Sequence, residues 1–114
     1  MSGGFIVNGV ATCPVDGISV RTFAEAGVHR FVPKGKRARA VEIVIHETVT
    51  RSVESTIAVL KKRGLSVHLV MGADGALTQH GDLATDVLWH ASQHNGPSFG
   101  VEVRYGKYET RGGA

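Results

Sequence analysis

The chain has 114 residues, 42% hydrophobic and 20% charged, which suits one globular domain with a modest core and gives no compositional sign of disorder. No apolar run reaches the roughly 20 residues that span a bilayer, and MSGGFIVNGVA has neither a charged n-region nor a long apolar h-region, so the expectation is cytoplasmic synthesis without a signal peptide. A single cysteine, Cys13, excludes an internal disulfide, and a formal charge of +3 with a pI near 9.4 favours an anionic partner such as nucleic acid, an acidic polymer or a cell wall.

Residues 1–40 read as an N-terminal arm and 41–114 as the core of the same domain. In the arm, Gly3-Gly4, Pro14, Asp16-Gly17, Gly27 and Pro33 punctuate segments that allow one or two short strands. The block KGKRAR, Lys34 to Arg39, is locally positive but has no interleaved aromatic residues for base stacking, which fits a solvated loop better than a nucleic-acid patch. Val41 to Ile45 is a nearly continuous apolar run that suits a strand covered on both faces. Val53, Ile57 and Leu60 follow at helical spacing, with Thr50 or Ser52 as cap, Lys61, Lys62 and Arg63 in the last turn and Gly64 as terminator, predicting a helix over about 52–63. Leu65 to Met71 and Ala76 to Gln79 flank the turn signal Ala73-Asp74-Gly75 and predict a hairpin. Val87 to Trp89 and Phe99 to Val103 are further short strands, and the tail YGKYETRGGA reads as frayed. This order implies an α/β fold with a central mixed β-sheet and flanking helices.

The chemistry lies in the histidines. His46, His68, His80 and His90 fall where predicted strands end or turn, with His94 close behind, and imidazole is both the commonest neutral metal ligand and the commonest general base. His46-Glu47 is not followed by a second histidine at helical spacing, and no cysteine pair exists, so a helical zinc-protease motif and a structural zinc knot are both excluded. Any metal site must be assembled from distant segments. For each histidine a hydrogen-bonded surface or core role stays open, as does a core role for Trp89 and an outward strand position for Glu102.

Three ordered blocks, IVIHETVT, SVHLVMGADGALTQH and LWHASQHNGPSFGVEV, resemble the zinc-dependent N-acetylmuramoyl-L-alanine amidases of the phage lysozyme and peptidoglycan-recognition-protein type over residues 41 to 103. The resemblance implies an endolysin-like peptidoglycan hydrolase that cuts the lactyl–L-alanine amide bond of a cell wall, of phage or bacterial origin. It implies zinc as cofactor with His46 as a ligand, Glu102 as general base, and His90 and Asn95 as contacts of the muramyl-peptide. The branch of the family that lacks glutamate uses a tyrosine where this chain has Val67, so the presence of Glu102 and the absence of the tyrosine agree. His68 is expected as a satisfied buried imidazole, and His80 as a buttress outside the ligand set.

The pattern departs from the family after the Glu102 strand, where the remaining zinc ligands and a lysine are expected. Residues 104–114 contain no histidine, cysteine or aspartate. Three readings follow: a shortened amidase, a site in which His90 or His94 replaces the missing ligands, or a noncatalytic domain that binds peptidoglycan or a protein partner. A membrane partner is not expected, a nucleic-acid module resting on Lys34 to Arg39 is the least supported reading, and an open sheet edge makes a homo-oligomer conceivable.

Overall fold

The structure is a computed structural model and describes residues 4–105; the tail from residue 106, expected to fray, lies outside the described residues. Among the described residues nine strands and one α-helix follow in chain order: β1 (Ile6–Val7), β2 (Val10–Ala11), β3 (Val20–Thr22), β4 (Gly35–Lys36), β5 (Glu42–Val49), α1 (Val53–Arg63), β6 (Leu69–Met71), β7 (Leu77–Gln79), β8 (Asp86–Val87) and β9 (Ser98–Tyr105). A central five-stranded mixed sheet has the order β3-β7-β6-β9-β5, parallel except for the β6–β7 hairpin, and two small antiparallel pairs, β1–β2 and β4–β8, lie outside it. β3 comes from the N-terminal arm, so the arm is built into the sheet.

α1 forms where its spacing predicts. Ser52 is the N-cap, its hydroxyl accepting from the Ser55 amide at 3.0 Å while the Ser55 hydroxyl accepts from the Ser52 amide at 2.9 Å, and Gly64 closes the helix in the left-handed region at φ 72°. Ile57 and Leu60 pack with Phe31, Val67, Val70 and Leu88 into the hydrophobic core. Because Val70, Glu102 and His46 are aligned partners across β6, β9 and β5, their side chains share the helix-covered face.

On the opposite face, the β1–β2 hairpin turns through Asn8 and Gly9, both at positive φ, the turn that an Asn-Gly pair favours. Asp82 accepts from both turn amides, and the fully buried Gln79 side chain holds Ile6 by accepting from its amide and donating to its carbonyl, each at 2.8 Å.

The expectation that β5 is covered on both faces is overturned. β5 is the edge strand of the sheet, and Val41, Ile43 and Ile45 are 67%, 60% and 66% exposed, because no described element packs against that side. An apolar run licenses burial; only the position in the sheet decides it. The solvated-loop reading of KGKRAR holds for the exposed Ala38 and Arg39 and is corrected for the rest, where Gly35–Lys36 form β4. Lys34 sits over the Trp89 ring at 5.0 Å, Lys36 pairs with buried Asp86 at 2.6 Å, and the Arg37 guanidinium donates to five carbonyls, those of Leu83, Ala84, Asn95, Gly96 and Ser98.

Arg37→Ala strips donors from five carbonyls on two separate loops and is expected to lower the unfolding free energy by roughly 2–4 kcal/mol, with Arg37→Lys recovering only a minor part because an ammonium cannot reproduce the planar fork. Urea denaturation of the two variants beside the parent chain measures it, and a loss of less than about 0.5 kcal/mol would show the clamp to be idle.

Candidate functional site

His46 projects from β5 beside Glu102 on β9, and the two face a groove of about 280 Å³ between the sheet and α1, lined also by Thr48, Leu60, Arg63 and His90. His90 arrives from a different route. After β8 the chain passes Trp89 and makes a single 3-10 turn, Ser92–His94, before entering β9. Asn95 shapes this loop: its Oδ1 accepts the amides of His90 at 2.9 Å and Ala91 at 2.7 Å. The imidazole of His90 lies directly over Gly100, where a Cβ would come within 2.7 Å of the ring. Only glycine at this point of β9 leaves room for it.

The hydrogen bonds fix the proton positions. The Ser98 hydroxyl donates to the His94 carbonyl, so toward His90 Nε2, 3.2 Å away, it acts as acceptor and Nε2 carries the hydrogen. His90 Nδ1 is then a lone pair, and it faces His46 Nε2 at 3.2 Å, which must donate. His68, fully buried beneath, donates from Nε2 to the Asp86 carbonyl at 2.8 Å and accepts the Gly100 amide on Nδ1 at 3.0 Å. The sequence expectation of a satisfied buried imidazole holds for His68.

Electrostatics follow from burial. The pKa values of His68 and His90 are both pushed down to about 4, in each case first by burial, with His90 further lowered by the neighbouring His68 and His46 rings. Glu102, 9% exposed, is raised above the ordinary carboxylate value by burial, with His46 and Arg63 pulling the other way. The site thus holds the neutral ring of His90, above the neutral ring of His68, beside a carboxyl group whose proton affinity is increased.

The remaining histidines stand apart. His80 donates from Nδ1 to the His29 carbonyl and accepts the Thr78 hydroxyl on Nε2, both at 2.7 Å, and lines a second cleft on the other flank of α1. His94 is at the surface, 3.2 Å from Glu42, and does not line the His46 groove. Trp89, for which a core role stayed open, is 49% exposed. Ser98 and Gly100 lie in the quoted block LWHASQHNGPSFGVEV, yet their roles emerge only once His90 is seen to lie between them. Arg63, read from sequence as a helix-terminal charge, lines the groove.

A family model for N-acetylmuramoyl-L-alanine amidase matches residues 35–111, about two thirds of the chain, and spans every element of this groove. The chain belongs to the N-acetylmuramoyl-L-alanine amidase family. Comparison with curated proteins and with solved structures finds no match. The family acts on peptidoglycan, and the central mixed sheet with its helix agrees with an α/β amidase fold.

For zinc, the described residues do not complete a site. His46 and His90 are engaged with each other, and among the described residues no group of three His, Cys, Asp or Glu side chains could hold a metal ion. Catalytic zinc centres use three protein ligands plus an open position.

The buried neutral imidazoles set a pH dependence. His68 and His90 titrate near 6.5 when unfolded and near 4 when folded, so the unfolded chain binds more protons between those values and stability is lost as pH falls through that window. Each is expected to remove about 2 kcal/mol between pH 7 and pH 5. Chemical denaturation at the two pH values measures it, and equal stability at both would contradict the neutral buried rings.

Proposed function

We propose that this chain is a peptidoglycan-directed amidase domain that seats a muramyl-peptide in the His46 groove and cleaves the amide between the lactyl group and L-alanine. The observation that carries the reading is the convergence of His46, His90 and Glu102, from three separated segments, on one groove. Family membership supplies the substrate class. A carboxyl group with raised proton affinity at the edge of such a groove suits general base work: Glu102 takes the proton of the attacking water and passes it to the departing nitrogen of alanine, while the water oxygen bonds the carbonyl carbon and the carbon–nitrogen bond breaks. His90 is proposed as a contact of the muramyl-peptide, and Asn95 serves by holding His90 through its backbone. His46 occupies the position of a zinc ligand in the resemblance, and the described residues alone do not make up a ligand set.

A second reading, a domain of the same fold that binds peptidoglycan without cutting it, rests on His46 and His90 being bonded to each other. The two separate cleanly. Loss of turbidity of purified cell walls, abolished by Glu102→Gln and by His46→Ala, supports the hydrolase, and near-stoichiometric zinc lost on His46→Ala supports a metal-dependent one. Sedimentation of the parent chain with cell walls, with no turbidity loss and no bound metal, supports the binder. A chain that neither sediments with cell walls nor clears them would remove both.

A further inference from the structure

His80 lies away from the groove that holds His46, and both of its ring nitrogens are engaged. Nδ1 donates to the His29 carbonyl at 2.7 Å, which leaves Nε2 as a lone pair, and that lone pair accepts the hydroxyl of Thr78 at 2.7 Å. Two hydroxyls bond an imidazole among the described residues, and they differ in direction. Ser98 spends its hydrogen on the His94 carbonyl and only accepts from His90, whereas Thr78 gives its hydrogen to the ring. His68 makes a second contrast, because both of its nitrogens end on backbone groups. A hydroxyl donating to an imidazole whose far nitrogen is held by an acceptor is the arrangement that activates an oxygen nucleophile.

The fold fixes this pair and opens it to a cleft. The His80 amide donates to the His68 carbonyl at 2.7 Å, its carbonyl accepts the Phe31 amide at 3.0 Å, and the residue is buried. Burial lowers the pKa of His80, so the ring is a free base at neutral pH. Thr78 is the register partner of Val70 and shares its face under α1, and with His80 it lines a cleft of about 290 Å³. Val28, Val53 and Ile57 give the cleft apolar lining that suits a short acyl chain. Arg21, the register partner of Thr78 on β3 and held only loosely by Glu25 at 3.8 Å, brings positive charge to the same cleft, as does Lys61 of α1.

We propose that this second cleft is a nucleophilic site in which Thr78, with His80 as its base, takes the acyl group of a small ester. Oγ1 bonds the ester carbonyl carbon while the hydroxyl proton passes to His80 Nε2. The bond to the alcohol oxygen then breaks and that oxygen leaves with the same proton, so the ring returns to its neutral form and the acyl group stays on the threonine. Negative charge gathering on the carbonyl oxygen meets Arg21 and Lys61. Water attacking the acyl-threonine, with His80 again as base, releases the acid and restores the hydroxyl.

The test is incubation of the full chain with para-nitrophenyl acetate at neutral pH, followed by peptide mass mapping. The acetyl group is expected on Thr78, retained in Thr78→Ser, absent at this position in Thr78→Val, and formed roughly 100-fold more slowly in His80→Gln. A parent chain acetylated only at other residues, or not at all, overturns the proposal, and so does equal labelling of Thr78 in His80→Gln. Should His80→Gln fail to fold, the parent chain unfolded in urea takes its place: Thr78 labelled as fast there as in the folded chain overturns the role of His80. Acetylation of Thr78 and clearance of cell walls are read separately, so the failure of either leaves the other standing.

Discussion

The groove depends on one half-buried cation. Arg37 stands between two loops that share no regular pairing, the segment before β8 and the segment before β9, and its guanidinium gathers carbonyls from both. Burial lowers the pKa of Arg37, while Asp86 and Asp82 oppose that shift and keep the charge in place. The same aspartates tie outward, Asp86 to Arg30 and Lys36, and Asp82 to the turn of the β1–β2 hairpin. For Asp82 burial pulls the pKa up, but four backbone amides donating to the carboxylate outweigh it and hold it low. A charge-assisted network of this kind costs little only when every member is satisfied, and here the network does the work that a covering layer of helices does in larger α/β domains.

From that clamp the order passes inward by steric and hydrogen-bond constraint. The loop fixed by Arg37 carries Asn95, which holds the His90 backbone, and Ser98, whose hydroxyl is committed to the His94 carbonyl and so can only accept from His90. The tautomer of His90 is therefore set by a backbone carbonyl two hydrogen bonds away, and the tautomer of His46 follows from it. Burial makes both His68 and His90 neutral and raises the proton affinity of Glu102, so the local field is not that of a surface ion pair but of a partly desolvated pocket.

Much of this was legible in the residues. The helix announced itself through the Val53, Ile57, Leu60 spacing and the Ser52 and Gly64 caps, and the β6–β7 hairpin through Asp74-Gly75, because caps and turns are local physics. The family was legible because its blocks carry ordered chemistry. What could not be read was anything set by long-range placement. The apolar run of β5 looked like a central strand, since composition reports what a strand could bury and not whether a neighbour exists. The cationic block looked solvated, since the carbonyls that bind Arg37 lie some fifty residues downstream and backbone acceptors leave no trace in sequence. Trp89 could equally have been core, and only the fold puts it at the surface under Lys34.

The site is finally a matter of register. β5 and β9 are parallel and aligned residue for residue, His46 with Glu102 and Val44 with Gly100. A slip of one residue would turn Glu102 to the far face and bring a branched side chain under the His90 ring. Two features forbid it. The Pro97 carbonyl accepts from the amides of both Val41 and Glu42, pinning the start of β5 to the start of β9, and the space above Gly100 admits the imidazole only at that glycine. The residue that makes room for His90 and the residue that meets His46 are two positions apart on one strand, which is the spacing that returns a side chain to the same face. The glycine is thus part of the chemistry: by yielding its own side chain it allows an imidazole from a loop to share a groove with an imidazole and a carboxylate from the sheet.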